Sequence, residues 1–211
     1  MSNKNVSTAV IKRLPRYYRY LGDLMDRGVT RISSGELSEK MNITASQIRQ
    51  DFNNFGCFGQ QGYGYNVDSL YGEIKKILCL EQSYKLIIIG AGNIGQALVN
   101  YPGFQKRGFQ FVALFDTNPK LVGLHINGVE VYDIDTLDDF LGDHDVSIAV
   151  LAIPASNAVK IAQRLFAKNI KGVWNFSNTD IHAPNDVVVE NVHLTDSLMT
   201  LVYGLNDIDN A

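Results

Sequence analysis

The chain has 211 residues, 45% of them hydrophobic and 19% charged, with a formal net charge of −3: enough apolar content for one large or two small domains, and too little charge for a disordered chain. Its aliphatic runs, Leu86 to Ile89 among them, are far too short to span a bilayer, the first seven residues lack the apolar stretch of a signal peptide, and Cys57 and Cys79, without a CxxC pair, argue against a disulfide scaffold or a zinc site. The expectation is a soluble cytoplasmic protein with uneven charge: residues 1–80 carry 11 Lys and Arg against 7 Asp and Glu, and the remainder 8 against 15, so a polyanion partner is sought in the first part.

Val10, Leu14, Tyr17, Tyr18 and Leu21 recur at helical spacing, and Leu24 and Met25 extend the stripe. Pro15 either kinks this helix or marks its true first turn. Ser33 to Glu36 reads as a capping box before a short helix ending at Met41, and Thr44 to Gln47 as a second box opening a helix to about Asn54. Two short helices joined by a tight connector form the helix-turn-helix pattern, whose second helix enters the major groove with its N-terminal residues at base edges. Ile48 and Phe52 face inward, leaving Ser46, Gln47, Arg49 and Gln50 outside. Gln pairs with adenine and Arg with guanine or phosphate, although a merely solvated helix face has the same composition.

Glycines 59, 62 and 64 permit a tight reversal between two short strands, making a β-hairpin directly after the second helix, as in a winged helix. Its tip, Gln60, Gln61 and Gly62 with Tyr63 beyond, would reach a minor groove; a plain hairpin packing Phe58, Tyr63 and Tyr65 is the alternative. Cys57 reads as a small core residue.

After Lys85, Leu86 to Ile89 is a continuous apolar run, as in a strand buried on both faces of a parallel sheet. It enters Gly90-Ala91-Gly92-Asn93-Ile94-Gly95, and a helix from Gln96 to about Tyr101 follows. In this GxGxxG context the first glycine allows the turn, the second lets backbone approach a pyrophosphate, and the third lets helix and strand pack closely. A second strand ends at Asp116, 21 residues past Gly95, where an acid accepts from a ribose 2′-hydroxyl. No Arg follows at Thr117 to Pro119, so NAD(H) is expected rather than NADP(H).

Further elements alternate: a helix from Thr136 to Leu141, a strand from Val146 to Ala152, a loop at Ile153 and Pro154, an amphipathic helix through Phe166, a strand from Gly172 to Phe176 and an edge strand at Val187 to Val189. His125, His144 and His182 fall in loop-like segments without a partner carboxylate. Repeated β-α-β implies a Rossmann-type, doubly wound parallel sheet, which binds ligands at the carboxyl ends of its strands. Leu194, Leu198, Leu201 and Leu205 then stripe a last helix whose expected cover is a second chain. The domains expected are 1–80 winged helix, 81–192 dinucleotide-binding sheet and 193–211 dimerisation helix, an α/β architecture.

The combination resembles the Rex family of redox-sensing transcriptional repressors along nearly the whole chain. The likeness is carried by Leu14 to Leu21, Gln47-Ile48-Arg49 with Asp51, Phe55-Gly56, Phe58-Gly59, Gly62 to Val67, Gly90 to Gly95, Tyr101 to Phe104, Phe115-Asp116 and Asn175-Phe176. The resemblance implies a homodimer that binds AT-rich palindromic operator DNA, is released by NADH and is permitted to bind by NAD+. It also implies a C-terminal helix swapped between subunits, Leu194 near the other copy's nicotinamide, Ile153 and Pro154 bordering the cofactor, and Arg16 and Tyr101 as switch residues.

Three positions depart from the family pattern: Gln50 stands where Lys is frequent, Gln61 where the wing often has Arg, and His193 where an Asp often partners the switch Tyr and Arg. The first two remove cations, so a shallower salt dependence is expected; the third replaces a carboxylate with a titrating imidazole.

An apolar pocket around Leu194, Ile153 and Phe176 would favour the uncharged reduced ring. The competing readings are a paralogue that senses NADH with weakened DNA binding, and a small NAD-dependent oxidoreductase. The latter needs a proton-transfer group and a substrate domain, for which the sequence offers no candidate, so no catalytic or metal residue is expected.

Overall fold

In the computed structural model the chain divides into two units, residues 1–82 and 83–211; residues 6–56, 59–60 and 63–209 are described, with backbone alone at 59–60 and 207–209. Cys57, Phe58, Gln61 and Gly62 lie outside the described residues.

The first unit is built on α1 (Thr8–Asp26), capped by the Ser7 hydroxyl accepting from the Val10 N–H, with Leu14, Tyr17, Tyr18, Leu21 and Leu24 buried along one stripe. The helix runs through Pro15 rather than starting there. After β1 (Arg31–Ile32) comes α2 (Ser34–Met41), opened by the expected Ser33–Glu36 capping box. Asn42, left-handed at φ 52°, ends α2 and turns the chain toward α3 (Ala45–Asn53). The second capping box is only half formed: Thr44 accepts from the Gln47 N–H, but the Gln47 side chain turns away to Asp51, a stronger, charged acceptor.

The wing pairs β2 (Gly59–Gln60) with β3 (Gly64–Asn66), and β3 also pairs antiparallel with β1, giving a three-stranded sheet in place of the expected hairpin. An unforeseen helix, α4 (Val67–Ile77), follows at once, capped by Asn66; its Val67, Leu70 and Ile74 complete the core against α1.

In the second unit the elements run β4 (Tyr84–Ile89), α5 (Asn93–Asn100), β5 (Phe109–Asp116), β6 (His125–Ile126), β7 (Val129–Asp133), α6 (Leu137–Asp143), β8 (Ile148–Leu151), α7 (Ala155–Ala167), β9 (Gly172–Asn175), β10 (Val188–Asn191) and α8 (Leu194–Asp209). The seven-stranded sheet has the order β10-β9-β8-β4-β5-β7-β6, parallel except for β6. Alternate residues of β4 enter two cores, Ile87 and Ile89 one and Leu86 and Ile88 the other, so both faces are covered. The order reverses beside β4, the switch point at which such sheets bind ligands.

β6 and β7 were not anticipated. They form a hairpin around Asn127 and Gly128, both at positive φ, and they place His125 in a strand rather than a loop. α5 begins at Asn93, three residues before the expected start, so the glycine loop itself opens the helix. Along α8, Leu194, Leu198, Met199, Leu201, Val202, Tyr203 and Leu205 are each at least half exposed.

Candidate functional site

The carboxyl ends of β4, β5 and β8 enclose a cavity of about 750 Å³. Gly90, Gly92, Asp116, Ile153 and Pro154 line it. Gly90 sits at φ +102°, where any Cβ would strike the Ala152 carbonyl, and a Cβ at Gly95 would strike that of Gly90. Gly92 differs: a Cβ there would meet nothing within 4 Å, so the fold itself does not demand glycine at this point. What the missing side chain leaves open is the cavity, at the start of α5, where no side chain caps the helix. Backbone N–H groups and the helix dipole thus face an open space suited to a diphosphate. Ala91 is buried, while Asn93 and Ile94 form the first turn of α5.

Asp116 does more than offer an acceptor. One carboxylate oxygen accepts from the Ala91 N–H at 2.7 Å and the other from the Asn118 N–H at 2.8 Å, tying the glycine loop to the end of β5. A sugar diol at this rim would meet an oriented carboxylate, and a phosphate in its place would meet like charge.

The sequence missed the opposite wall. Asn157, Lys160, Ile161 and Arg164 line the cavity from one face of α7, at helical spacing that could have been read. Arg164 is committed to Asp138 at 2.8 Å and to the Ile134 carbonyl, leaving Lys160 as a further cation at the cavity.

Phe176 and Tyr101 lie elsewhere in the chain, and Leu194, expected at the other copy's nicotinamide, lies outside this cavity. Phe176 packs on Trp174 in the opposite core, Leu194 is exposed at the start of α8, and Tyr101 borders a separate cavity of about 370 Å³ beside Phe104. Within one chain, therefore, the apolar wall comes from Ile89, Phe115, Ile134, Ile153 and Ile161. Two of the residues expected to act as a switch have local partners: Arg16 donates to the Met41 carbonyl at 2.8 Å, and His193 pairs with Asp180 at 2.9 Å. That hydrogen bond holds the His193 imidazole above its ordinary pKa.

In the first unit, Ser46, Arg49 and Gln50 are exposed on α3, and Tyr63 is exposed beside the wing. Arg49 donates to the Ser34 hydroxyl at 3.0 Å, so part of its reach is used in joining α3 to the start of α2. Gln60 pairs by its backbone with Gly64 in the wing. Arg31, which the sequence pattern did not single out, donates to the Tyr63 carbonyl and adds a cation beside the wing.

Asp51 was also missed as a functional group. It is fully buried, and both its oxygens accept from Arg13 at 2.7 Å. Tyr17 donates to it at 2.8 Å and Gln47 at 2.9 Å. Burial alone would raise its pKa, but these hydrogen bonds outweigh burial and hold the carboxyl below its ordinary value, while the Tyr17 phenol is pushed far up. Among the described residues no cluster of His, Cys, Asp or Glu could hold a metal, and no helix is long and apolar enough to cross a membrane.

Residues 81–179 match the family model described as "CoA binding domain", and residues 5–53 the one described as "Putative DNA-binding protein N-terminus". The chain is 57% identical over 207 residues to the redox-sensing transcriptional repressor Rex of Clostridioides difficile (strain 630), covering 98% of this chain and 99% of that one. It is 58% identical to the protein of the same name from Thermoanaerobacter sp. (strain X514), covering 98% and 93%. Among solved structures it is similar to RSP, a Rex-family repressor, with a TM-score of 0.90, 54% identity and coverage of 97% and 95%. RSP in complex with β-NAD+ and operator DNA gives a TM-score of 0.90 at 56% identity, covering 97% and 94%, and RSP with β-NADH gives 0.89 at 53%, covering 97% and 96%.

Proposed function

The chain belongs to the Rex family of redox-sensing transcriptional repressors, and from that premise we propose that it binds palindromic, AT-rich operator DNA as a cytoplasmic homodimer and releases it when NADH fills the cavity beside Gly92. It is a repressor, not an enzyme. The observation that carries the reading is Gly92: the one loop glycine whose Cβ position is empty lies at the cavity that Asp116 also lines. Gly90 to Gly95 would hold the diphosphate, Asp116 the adenosine ribose, and Ile153 and Pro154 would border the nicotinamide.

NAD+ and NADH differ at the nicotinamide, which is cationic and aromatic when oxidised and uncharged when reduced. An apolar surround disfavours the cation. Ile153 supplies part of that surround within one chain, and Leu194 from a second copy would supply more. A roughly hundredfold preference for one redox form equals about 2.7 kcal/mol, enough to swing a poised two-state dimer.

On the DNA side, Ser46, Gln47, Arg49 and Gln50 of α3 would meet base edges and phosphates. The wing segment Gln60 to Tyr63 would reach the neighbouring groove. Arg16, Tyr101 and His193 would relay the state of the cofactor.

The test is a mobility shift of an AT-rich palindromic duplex at a titrated NADH/NAD+ ratio. The duplex is bound without cofactor and with NAD+, and is released as NADH rises. Retention of the duplex at saturating NADH overturns the coupling, and no binding at low salt overturns the repressor reading for this chain.

A further inference from the structure

The Asp51 carboxylate is saturated. One oxygen takes Arg13 and Gln47, the other Arg13 and Tyr17, all between 2.7 and 2.9 Å, and the residue has no exposed surface. An ionised carboxylate only accepts. It can therefore hold the Gln47 side chain by its amide nitrogen alone, because the flipped amide would set the Gln47 oxygen against a carboxylate oxygen, acceptor to acceptor. Gln47 is the third residue of α3 and Asp51 lies one turn on, so the bond spans i to i+4 on the helix. Arg13 and Tyr17 belong to α1, so the carboxylate is fixed from a second element. Among the described residues no hydrogen bond reaches the Gln47 side-chain oxygen.

We propose that Asp51 is a positioning residue for base readout: by holding the amide nitrogen of Gln47 it turns the amide oxygen outward, so that α3 presents an acceptor at this position and selects a base with an exocyclic amine. In the major groove that means adenine N6 or cytosine N4; the keto oxygens of guanine and thymine are rejected. A free Gln can read adenine with both ends of its amide at once. Here the donor end is drawn back toward Asp51, and the readout is by a single acceptor. The proposal rests on the DNA-binding reading above and goes beyond it by naming the chemistry of one recognised base.

The test uses the full-length chain and a duplex library with randomised positions, the bound fraction being sequenced for wild type, Gln47→Ala, Asp51→Asn and the double variant. Wild type enriches adenine or cytosine roughly five- to tenfold at one symmetry-related pair of positions. Gln47→Ala erases that preference. Asp51→Asn, whose amide can turn either way, erases it at the same positions and leaves the other columns enriched, and adds nothing in the Gln47→Ala background. A merely structural role for Asp51 would weaken every column alike.

That uniform loss overturns the proposal, as does an Asp51→Asn pool unchanged at that pair, enrichment of guanine or thymine there, or a Gln47→Ala pool that loses no column. A wild-type pool enriched in nothing overturns the DNA-binding reading instead. NADH affinity reports that the second unit of each variant is intact, and continued enrichment of the other columns that the first unit is. Should Asp51→Asn fail to fold, nitrogen relaxation of the wild-type side-chain amides decides: the Gln47 amide is ordered on the picosecond-to-nanosecond scale while that of exposed Gln50 is not, and equal mobility overturns the proposal.

Discussion

At the scale of single residues, Asp116 is the side chain with most at stake. Its two oxygens already brace the glycine loop through Ala91 and the β5 exit through Asn118, so the group proposed to meet the ribose is oriented before any ligand arrives. A hydrogen bond to a charged group contributes roughly 1.5–3 kcal/mol. Asp116→Ala therefore weakens NADH binding roughly 10- to 100-fold by calorimetry, and the NADH concentration that releases the duplex rises in step. Unaltered affinity would remove Asp116 from the site. Spacing made Asp116 legible in the sequence, since the acid falls at a set distance past a glycine loop. Asp51 was not legible as a positioning group, because its role depends on Arg13 and Tyr17, 38 and 34 residues away, which only folding brings to it. Nor could spacing foresee that Phe176 would turn into the core opposite the cavity: adjacent strand residues point to opposite faces, and which face holds the ligand is a tertiary fact.

At the scale of elements, what the sequence revealed were segments whose caps and periodicity agreed. α2 and α3 could be read from Ser33, Thr44 and the inward pairs Leu37 with Met41 and Ile48 with Phe52. α4 carried the same signals, Asn66 as cap and Val67, Leu70 and Ile74 as stripe, but it starts directly at the end of β3, so its cap is also the last residue of a wing strand. The β6–β7 hairpin was legible but missed: Asn127-Gly128, a dipeptide suited to a turn with two positive φ angles, is flanked by Leu124, Ile126, Val129 and Val131 alternating with polar residues.

The glycine loop gives this scale its prediction. Gly95→Ala forces a methyl group into the Gly90 carbonyl and should destabilise the second unit by roughly 1–3 kcal/mol or more, read as a lower urea midpoint. Gly92→Ala meets no protein atom and should lose no more than about 1 kcal/mol as a poorer helix cap, while NADH affinity falls at least tenfold if the methyl group stands, as proposed, where the diphosphate binds. The two variants separate the fold's glycine from the ligand's. Equal loss of stability in both, or full NADH affinity in Gly92→Ala, would refute that division.

At the scale of the whole molecule, α8 decides what the functional particle is. Seven large apolar side chains stand at least half exposed along one 16-residue helix, more than a lone chain leaves to water without a partner. Covering the exposed half of each contributes on the order of 1 kcal/mol, and association itself costs an estimated 4–15 kcal/mol. One helix laid on an inert surface is therefore marginal. A two-fold arrangement in which each copy contributes its own α8 doubles the gain and tips the balance toward a dimer. In the proposed dimer the same two-fold axis would bring two recognition helices to a palindrome, and linking two weak half-site contacts raises affinity by 10²–10⁴ without any new contact. Replacing Leu198 and Leu201 together by Glu sets two charges inside the proposed interface. By sedimentation, the wild-type chain should be a dimer at micromolar concentration and the variant a monomer. The variant should lose at least about a hundredfold in operator affinity while its affinity for a single half-site stays unchanged. A monomeric wild type, or a monomeric variant that still holds the full palindrome as tightly, would mean that α8 serves some other end and that each chain reads DNA alone.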